Sequence, residues 1–185
     1  MKTVGIDEVG RGCWAGPLVA CAVILNKPFA GLKDSKKLKK TQREEQASII
    51  RRKAISFGLG WVWQDEIDAL GLTAANGLAI ERALEQITVA YEEIIIDGNH
   101  NYLINNPKAR AVIKADATVP AVSAASILAK VARDNYMAYM AELFPQYGFE
   151  HHVGYGTAKH LANLNRFGVT KLHRQSFQPV YNLAL

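Results

Sequence analysis

The chain has few cysteines and no long apolar run. Its two cysteines, Cys13 and Cys21, stand too far apart for a C-x-x-C pair, and no second pair or His-x-His element completes a zinc site. We therefore expect two reduced, buried thiols. The best apolar stretch, residues 13–25, is too short to cross a membrane and contains a proline, and Asp7 and Glu8 exclude a secretory signal at the N-terminus. These absences predict a soluble, cytoplasmic protein that does not bind a membrane.

Length and composition predict one folded unit. With 185 residues, 49% of them hydrophobic, the chain is long enough for one domain with its own core. No internal repeat, low-complexity segment or linker divides residues 1–185, so we expect a single-domain monomer. The net charge of +5 fits a polyanionic partner such as nucleic acid, although many soluble proteins without such a partner carry a similar charge.

The alternation of strand-like and helix-like segments predicts an α/β fold. Five segments rich in valine, isoleucine, leucine or aromatic residues are expected to be strands: residues 2–6, 18–25, 55–63, 92–97 and 109–114. Helices are expected from Thr41, where Glu44 completes a capping box, to residue 53, from residue 65 onward, at 120–144 and at 157–167. We expect the first two strands to be neighbours, the last two to be parallel, and a small helical C-terminal part to pack on the sheet.

Two adjacent acids follow the first apolar segment, in the stretch G-I-D-E-V-G-R-G at 5–12. A strand end normally holds one solvated acid, whereas Asp7 and Glu8 precede a glycine-rich loop with Arg11, which suits an anion. Asp97 and Asp116 lie at or just beyond the ends of the predicted parallel strands, and open α/β sheets gather their sites at that edge. Clustered carboxylates raise one another's pKa, and hard divalent cations neutralise them. Two magnesium ions about 3.5–4 Å apart would suit phosphodiester displacement.

An acid after a strand can instead cap a turn or a helix. For Asp97, which precedes Gly98, a turn explains the residue equally well. For Asp7 with Glu8 a turn is the poorer explanation, because it needs one such residue and not two beside Arg11. The residues alone therefore favour a metal-dependent site only slightly over a set of structural acids.

A series of motifs resembles the ribonuclease HII family, in order and over nearly the whole chain. The motifs are G-I-D-E-V-G-R-G at 5–12, D-S-K-K-L at 34–38, D-G at 97–98, K-A-D at 114–116, S-A-A-S-I-L-A-K-V-A-R-D at 123–134, G-Y-G-T at 154–157 and H-R-Q-S-F at 173–177. The resemblance implies a ribonuclease H-like fold, a mixed five-stranded sheet with flanking helices. It also implies hydrolysis of the RNA strand of RNA–DNA hybrids and cleavage of duplex DNA 5′ to embedded ribonucleotides, leaving 3′-hydroxyl and 5′-phosphate ends.

The same resemblance implies roles for individual residues. The family's four acids bind two divalent metal ions, Mg²⁺ or Mn²⁺, and they match Asp7, Glu8, Asp97 and Asp116. The chain would thus cleave by a two-metal-ion mechanism, with Asp7 as the ligand that bridges the ions.

The G-R-G loop resembles the family element that recognises the substrate. The backbone of Gly10, Arg11 and Gly12 would contact the 2′-hydroxyl at an RNA-to-DNA junction, the group that separates RNA from DNA. Tyr155 matches the family tyrosine that packs on the sugar after the ribonucleotide. An ordinary half-buried tyrosine before a helix is the alternative for Tyr155.

Polar residues of two other motifs are candidates for phosphate contacts. Ser35, Lys36 and Lys37 lie in the D-S-K-K-L loop, where exposed lysines are often merely solvated. Ser126 and Lys130 stand four residues apart on one helical face, where packing of the alanine stripe is the alternative.

The charged and histidine residues nearby are expected to be structural. Asp134 is a candidate partner of Arg11 or Lys130. Three histidines are expected to be surface or hydrogen-bonded groups rather than ligands, because carboxylates already suit magnesium or manganese: His152, His160 and His173.

Four positions depart from the family pattern. Val153 replaces a lysine and so removes a phosphate-binding charge, and Gly156 replaces a proline, which we expect to loosen the turn that holds Tyr155. Cys13 and Trp14 stand where proline and a small residue are usual. These departures concern affinity and junction selectivity rather than the reaction.

Two other functions remain open at this stage. A nuclease of the same fold that ignores the 2′-hydroxyl would also need clustered acids, and a non-catalytic nucleic-acid binding module would need only the basic charge. Family members often end in a tail that binds a sliding clamp, but N-L-A-L at 182–185 is too short a match to support that partner.

Overall fold

A computed structural model of the chain describes residues 2–27, 32 and 38–184. A five-stranded sheet lies at its centre, and helices cover both faces. The strands are β1 (Thr3–Val9), β2 (Leu18–Leu25), β3 (Ala54–Val62), β4 (Glu93–Asp97) and β5 (Ala109–Val112). The helices are α1 (Lys40–Lys53), α2 (Gln64–Leu70), α3 (Leu72–Leu84), α4 (Ala115–Thr118), α5 (Pro120–Leu143), α6 (Phe149–His152), α7 (Ala158–Phe167) and α8 (Val180–Ala184). Three predicted phosphate contacts, Ser35, Lys36 and Lys37, lie outside the described residues.

The sheet is mixed, in the order β3-β2-β1-β4-β5. β1 pairs antiparallel with β2, and β2 pairs antiparallel with β3. β4 is parallel to both β1 and β5, with Ile6 level with Ile96 and Asp97 level with Val112. The predicted neighbours and the predicted parallel pair are therefore confirmed. Because β1 and β4 run in the same direction, their carboxyl ends meet at one edge of the sheet.

Alternating side chains of the strands build a separate apolar cluster on each face. On one face Val4 and Ile6 pack with Ala79 of α3. On the other face Cys21 and Val23 pack with residues of α1 and α5. Gly5 explains why α5 lies so close to β1, because a Cβ at that position would come within 2.3 Å of the Ala121 carbonyl carbon. This contact sets the first turn of α5 against the middle of β1.

The helical C-terminal part packs mainly against the end of α5. Its buried residues, including Tyr147, Phe149 and Leu164, form a cluster with the last turns of α5 and with Ala15. Phe177, farther along the chain, packs against the apolar cluster that contains Val4 and Ile6 of β1, so part of this segment contacts the sheet as expected. The contact with Ala15 brings the C-terminal part against the loop that follows β1.

Several predicted boundaries differ from the structure. β1 runs to Val9 rather than to residue 6, so Asp7 and Glu8 lie inside a paired strand. α1 is capped by Gln42, whose side chain accepts a hydrogen bond from Lys39 N, and not by the Thr41–Glu44 box. The helical region that begins near residue 65 breaks at Gly71. A search of the described helices finds none long and apolar enough to cross a membrane.

Candidate active site

Three aspartates from different parts of the sequence meet at the carboxyl edge of the sheet. Asp7 lies in β1, Asp97 ends β4, and Asp116 lies in α4, the single helical turn after β5. One carboxylate oxygen of each lies within 4.8 Å of the others. Asp116 N donates a hydrogen bond of 3.3 Å to Asp97 Oδ1, which ties α4 to the end of β4. The structure thus brings together three of the four acids predicted to bind metal.

Glu8, the fourth predicted acid, lies beside this cluster rather than in it. Consecutive residues of a strand point to opposite faces of the sheet, so Glu8 faces α3 while Asp7 faces α5. Glu8 N donates to Asp7 Oδ1 at 2.8 Å, and Arg11 Nη1 donates to Glu8 Oε1 at 3.5 Å. The arginine of the G-R-G loop is therefore tied to the acid that flanks the cluster.

The protonation of the acids reflects their crowding. Burial raises the pKa of Asp7 to about 7, and the negative charges of Glu8 and Asp97 add to the effect. Burial also raises the pKa of Glu8, and the positive charge of Arg11 opposes the rise. A divalent cation would remove this penalty, because it favours the ionised carboxylates. An all-oxygen donor set of this kind fits Mg²⁺ or Mn²⁺ better than a softer metal.

One cavity of about 490 Å³ joins the acids to the predicted substrate-binding residues. Among the residues that line it are nine that the sequence singled out: Asp7, Glu8, Gly10, Arg11, Gly12, Asp97, Ser126, Lys130 and Tyr155. Asp116 lies outside this lining and borders a smaller cavity of about 170 Å³ together with Ser123. Arg43 of α1 also lines the larger cavity, although nothing in the sequence analysis pointed to it. The only indication in the sequence was the position of Arg43, in the first turn of the helix that follows the lysine-rich segment.

The polar residues of α5 reach the cavity from above β1. Ser126 hydrogen-bonds the Asp7 carboxylate and helps to lower its pKa against the effect of burial. Lys130 Nζ forms an ion pair of 2.8 Å with Asp134, which confirms one of the two predicted partners. Asp134 also lies 3.7 Å from Arg43 Nη2. The basic side chains at this rim are therefore held in place by one acid.

Tyr155 projects from the segment that pairs with the G-R-G loop. Cys13 and Tyr155 form an isolated antiparallel bridge, and Trp14 N donates to Gly154 O at 2.8 Å. The Tyr155 side chain remains 39% exposed, and Lys130 Nζ lies 5.9 Å from the centre of its ring. The ring is thus open to a ligand while its backbone is fixed to the loop.

Two buried arginines hold the loop and the C-terminal part together. Arg133 donates to the carbonyls of Pro17, Ala15 and Val153 at 2.8, 3.0 and 2.8 Å. Arg174 donates to Gly16 O and to Arg11 O, and burial lowers its pKa to about 10. Both arginines lie inside family motifs, at 123–134 and 173–177, but the sequence pattern assigned them no role. An arginine on the otherwise apolar face of α5 was the indication that could have revealed Arg133.

Gly156 does not leave empty space beside Tyr155. A Cβ at Gly156 would lie 2.1 Å from Trp14 Cε2 and 2.2 Å from Trp14 Cζ2, so the indole ring occupies the place of a side chain. The two departures from the family pattern, Trp14 and Gly156, therefore fit each other. The indole fills the space that the missing side chain leaves, and the expectation that Gly156 loosens the turn stays a prediction.

The three histidines form a buried hydrogen-bonded cluster beneath Tyr155. Thr170 N donates to His173 Nδ1, so the proton of His173 is on Nε2 and is donated to His160 Nε2 at 3.1 Å. His160 Nδ1 then donates to Tyr155 O at 2.9 Å. This network needs neutral rings, and burial lowers the pKa of both His160 and His173 to about 4. Hydrogen-bonded histidines, rather than ligands, were predicted.

Both cysteines are free and buried, as expected. Burial raises the pKa of each thiol. Both thiols therefore remain protonated at neutral pH, and neither is an activated nucleophile or metal ligand.

Comparison with known proteins agrees with this arrangement. A family model described as Ribonuclease HII matches residues 4–180. A ribonuclease HII of Halorhodospira halophila is 46% identical over 182 residues, which cover 97% of this chain and 93% of the relative. The ribonuclease H2 structure from Pyrococcus horikoshii has a TM-score of 0.84 at 25% identity and covers 99% of this chain and 97% of its own. The RNase HII in a PCNA complex from Archaeoglobus fulgidus has a TM-score of 0.78 at 27% identity, with 96% of each chain covered. These structures confirm the expected ribonuclease H-like fold.

Proposed function

This chain belongs to the ribonuclease HII family, and we propose that it cuts duplex DNA 5′ to embedded ribonucleotides with the help of two divalent metal ions. As a member of that family it is a metal-dependent endonuclease that hydrolyses phosphodiester bonds and acts on RNA–DNA hybrids. The observation that carries the proposal is the cavity that Asp7, Glu8 and Asp97 line together with the G-R-G loop and Tyr155.

The acids are the candidate metal ligands. Asp7, Asp97 and Asp116 converge closely enough to share one cation, and Glu8, which lines the same cavity as Asp7 and Asp97, would help to hold a second ion. When bound, a pair of ions supplies an activated water and stabilises the charge on the attacking and leaving oxygens. The negative charges of Glu8 and Asp97 both raise the pKa of Asp7, so Asp7 lies near both of these acids. This proximity supports its proposed role as the bridging ligand.

The loop and the tyrosine are the candidate recognition elements. Backbone groups of Gly10, Arg11 and Gly12 line the cavity beside the acids, where they would contact a 2′-hydroxyl. The half-exposed ring of Tyr155 would pack on the next sugar, where a deoxyribose fits and a 2′-hydroxyl would crowd the ring. The hydrogen bond between Trp14 and Gly154 keeps these two elements in register.

Basic side chains around the cavity suit the phosphates of a duplex. Arg11, Arg43 and Lys130 line it together with Ser126. Contacts of this kind position the nucleic acid without selecting its sequence. Ser35, Lys36 and Lys37 remain proposed contacts of the same kind.

We propose that the chain acts as a monomer of one domain, residues 1–185, and that it can contact a sliding clamp. The Archaeoglobus relative was solved in a complex with PCNA. Elution of this chain with a sliding clamp on a sizing column would support such a contact, and separate elution would contradict it. The same column tests the monomeric state.

Three duplexes of identical sequence test the proposed substrate. One contains a single ribonucleotide, one has a full RNA strand, and one is all DNA. We expect the first two to be cut in Mg²⁺ or Mn²⁺ and the third to remain intact. Asp97→Asn should abolish cleavage, whereas Asp68→Asn, which changes an acid that accepts hydrogen bonds from the 175–176 backbone, should not.

Two outcomes of this assay would contradict the proposal. Equal cleavage of the all-DNA duplex would identify a nuclease that ignores the 2′-hydroxyl. Binding without any metal-dependent cleavage would identify a nucleic-acid binding module.

A further inference from the structure

A buried amide on α3 lies next to the acid that flanks the metal cluster. The side chain of Asn76 is fully buried, with an exposed fraction of 0%, among apolar neighbours of the same helix such as Ala75 and Ala79. Among the described residues, neither Asn76 Nδ2 nor Asn76 Oδ1 has a hydrogen-bond partner. An unpaired buried amide costs about 1–3 kcal/mol, so its presence in the core calls for a physical reason.

Glu8 supplies a matching unpaired atom. Glu8 Oε2 is also buried and has no hydrogen-bond partner in the described part of the chain. The side-chain amide of Asn76 lies within reach of the Glu8 carboxylate. Glu8 Oε1, the other oxygen, faces Arg11 at 3.5 Å. The two oxygens of Glu8 therefore have different surroundings, one toward the loop and one toward α3.

We propose that Asn76 is a positioning residue for the metal site, which donates from Nδ2 to Glu8 Oε2 and so fixes the orientation of the Glu8 carboxylate. The inference rests on the proposed metal-dependent function and adds a residue to it. Asn76 acts only through Glu8 and does not itself touch the substrate or the ions. Glu8 Oε2 and Asn76 Nδ2 are both buried, and each lacks another partner among the described residues.

An amide suits this position better than the other side chains that fit there. A carboxylate would add another negative charge beside acids that already repel one another. An apolar side chain would leave Glu8 Oε2 buried with no donor. α3 is also a firm support, because its apolar face packs against the strands that carry Asp7 and Asp97. Groups that orient metal ligands in this way typically change metal affinity or activity by about 10–100-fold.

Titration of the intact protein with Mn²⁺, measured by calorimetry, tests the role of Asn76. Asn76→Leu keeps the branched shape of the side chain and removes the donor, so we expect about 10–100-fold weaker binding of the ion that depends on Glu8. Asn76→Ala removes the same donor without filling the space and carries the same test if the leucine variant fails to fold. Ala79→Gly perturbs the same face of α3 one turn away, and we expect unchanged Mn²⁺ affinity.

A double-mutant cycle separates positioning from a merely structural effect. In a Glu8→Gln background, Asn76→Leu should cause no further loss of Mn²⁺ affinity, because the carboxylate that it orients is gone. An equal loss in both backgrounds would overturn the inference, and so would unchanged affinity in Asn76→Leu and Asn76→Ala. If the wild-type protein cuts the single-ribonucleotide duplex and binds Mn²⁺ while these variants match it, only the role of Asn76 fails. Absence of Mn²⁺ binding by the wild type would instead overturn the proposed function together with this inference.

Discussion

Replacing Asp7 by asparagine should stabilise the metal-free protein although it destroys the metal site. Asp7 is 8% exposed, and its pKa is raised from 3.8 to about 7 by burial and by its acidic neighbours. Its ionisation therefore opposes folding. Asparagine has nearly the same shape, carries no charge, and keeps an oxygen that can accept the hydrogen bond from Glu8 N.

The expected magnitude follows from the two pKa values. Between pH 3.8 and about 7 the folded protein holds a proton on Asp7 that the unfolded chain has released, so the stability of the wild type falls as pH rises through this window. A difference of about three pH units, at roughly 1.4 kcal/mol each, corresponds to about 4 kcal/mol. The advantage of Asp7→Asn should therefore be small near pH 4 and approach this value above pH 8.

Urea unfolding in the presence of a chelator measures the effect at several pH values. Asp68→Asn is the control, because Asp68 accepts hydrogen bonds instead of facing other acids, and its loss should not stabilise the protein. Added Mg²⁺ or Mn²⁺ should raise the stability of the wild type more than that of Asp7→Asn. An Asp7→Asn protein that is no more stable than the wild type at pH 8, or whose advantage does not change with pH, would refute the argument.

Three further predictions concern Tyr155 and its supports. Tyr155→Ala should cost about 1–3 kcal/mol, or roughly ten- to hundredfold in rate, on a single-ribonucleotide duplex and less on a uniform hybrid; equal losses in parallel kinetics would show that the ring does not recognise the junction. Gly156→Ala should force the Trp14 indole out of place and cost about 1–3 kcal/mol of stability. Adding Trp14→Leu to this variant should restore much of the lost stability. An alanine variant as stable as the wild type would contradict this packing. Burial lowers the pKa values of His160 and His173 to about 4, so their neutral forms add stability that is complete above pH 6.5 and is lost as pH falls toward 4. The expected loss is on the order of 3 kcal/mol for one ring. Urea unfolding that shows no such loss, or a loss that is unchanged in His160→Asn, would refute this prediction.

The sequence predicted the parts of the fold that depend on local pattern. The apolar segments gave the strands because runs such as Ile94 to Ile96 have little alternative to burial in a sheet. The same pattern placed Asp97 at a strand end, where the structure has it. It also placed Asp116 just beyond the end of the last strand, but it could not predict the turn that follows. Lys114, in the left-handed region with φ of 58°, starts the short helix that turns Asp116 toward Asp97.

The division between Asp7 and Glu8 was predictable but was missed. Once β1 extends to Val9, strand alternation alone sends the two side chains to opposite faces. The expected end of the strand at residue 6 hid this consequence. Asn76 lies some seventy positions along the chain from Glu8, and only the packing of α3 on the sheet brings them together.

Local sequence pattern could not predict the burial of the two arginines, for a different reason. Charged residues are rarely buried without a partner of opposite charge, so sequence reasoning treats them as solvated. The partners of Arg133 and Arg174 are backbone carbonyls of the loop at 11–17 and of Val153. Carbonyl groups are present at every position, and only the folded loop directs these ones toward the arginines.

The position and chemistry of the cut on a single-ribonucleotide duplex test the central claim most directly. The duplex is labelled at the 5′ end of the strand that holds the ribonucleotide, and the products are sized against markers with known ends. Recognition of the 2′-hydroxyl by the G-R-G loop with metal-activated water as the nucleophile predicts one cut, 5′ to the ribonucleotide, that leaves a 3′-hydroxyl and a 5′-phosphate. A cut on the 3′ side that leaves a cyclic phosphate would mean that the 2′-hydroxyl itself had attacked, and it would contradict the account.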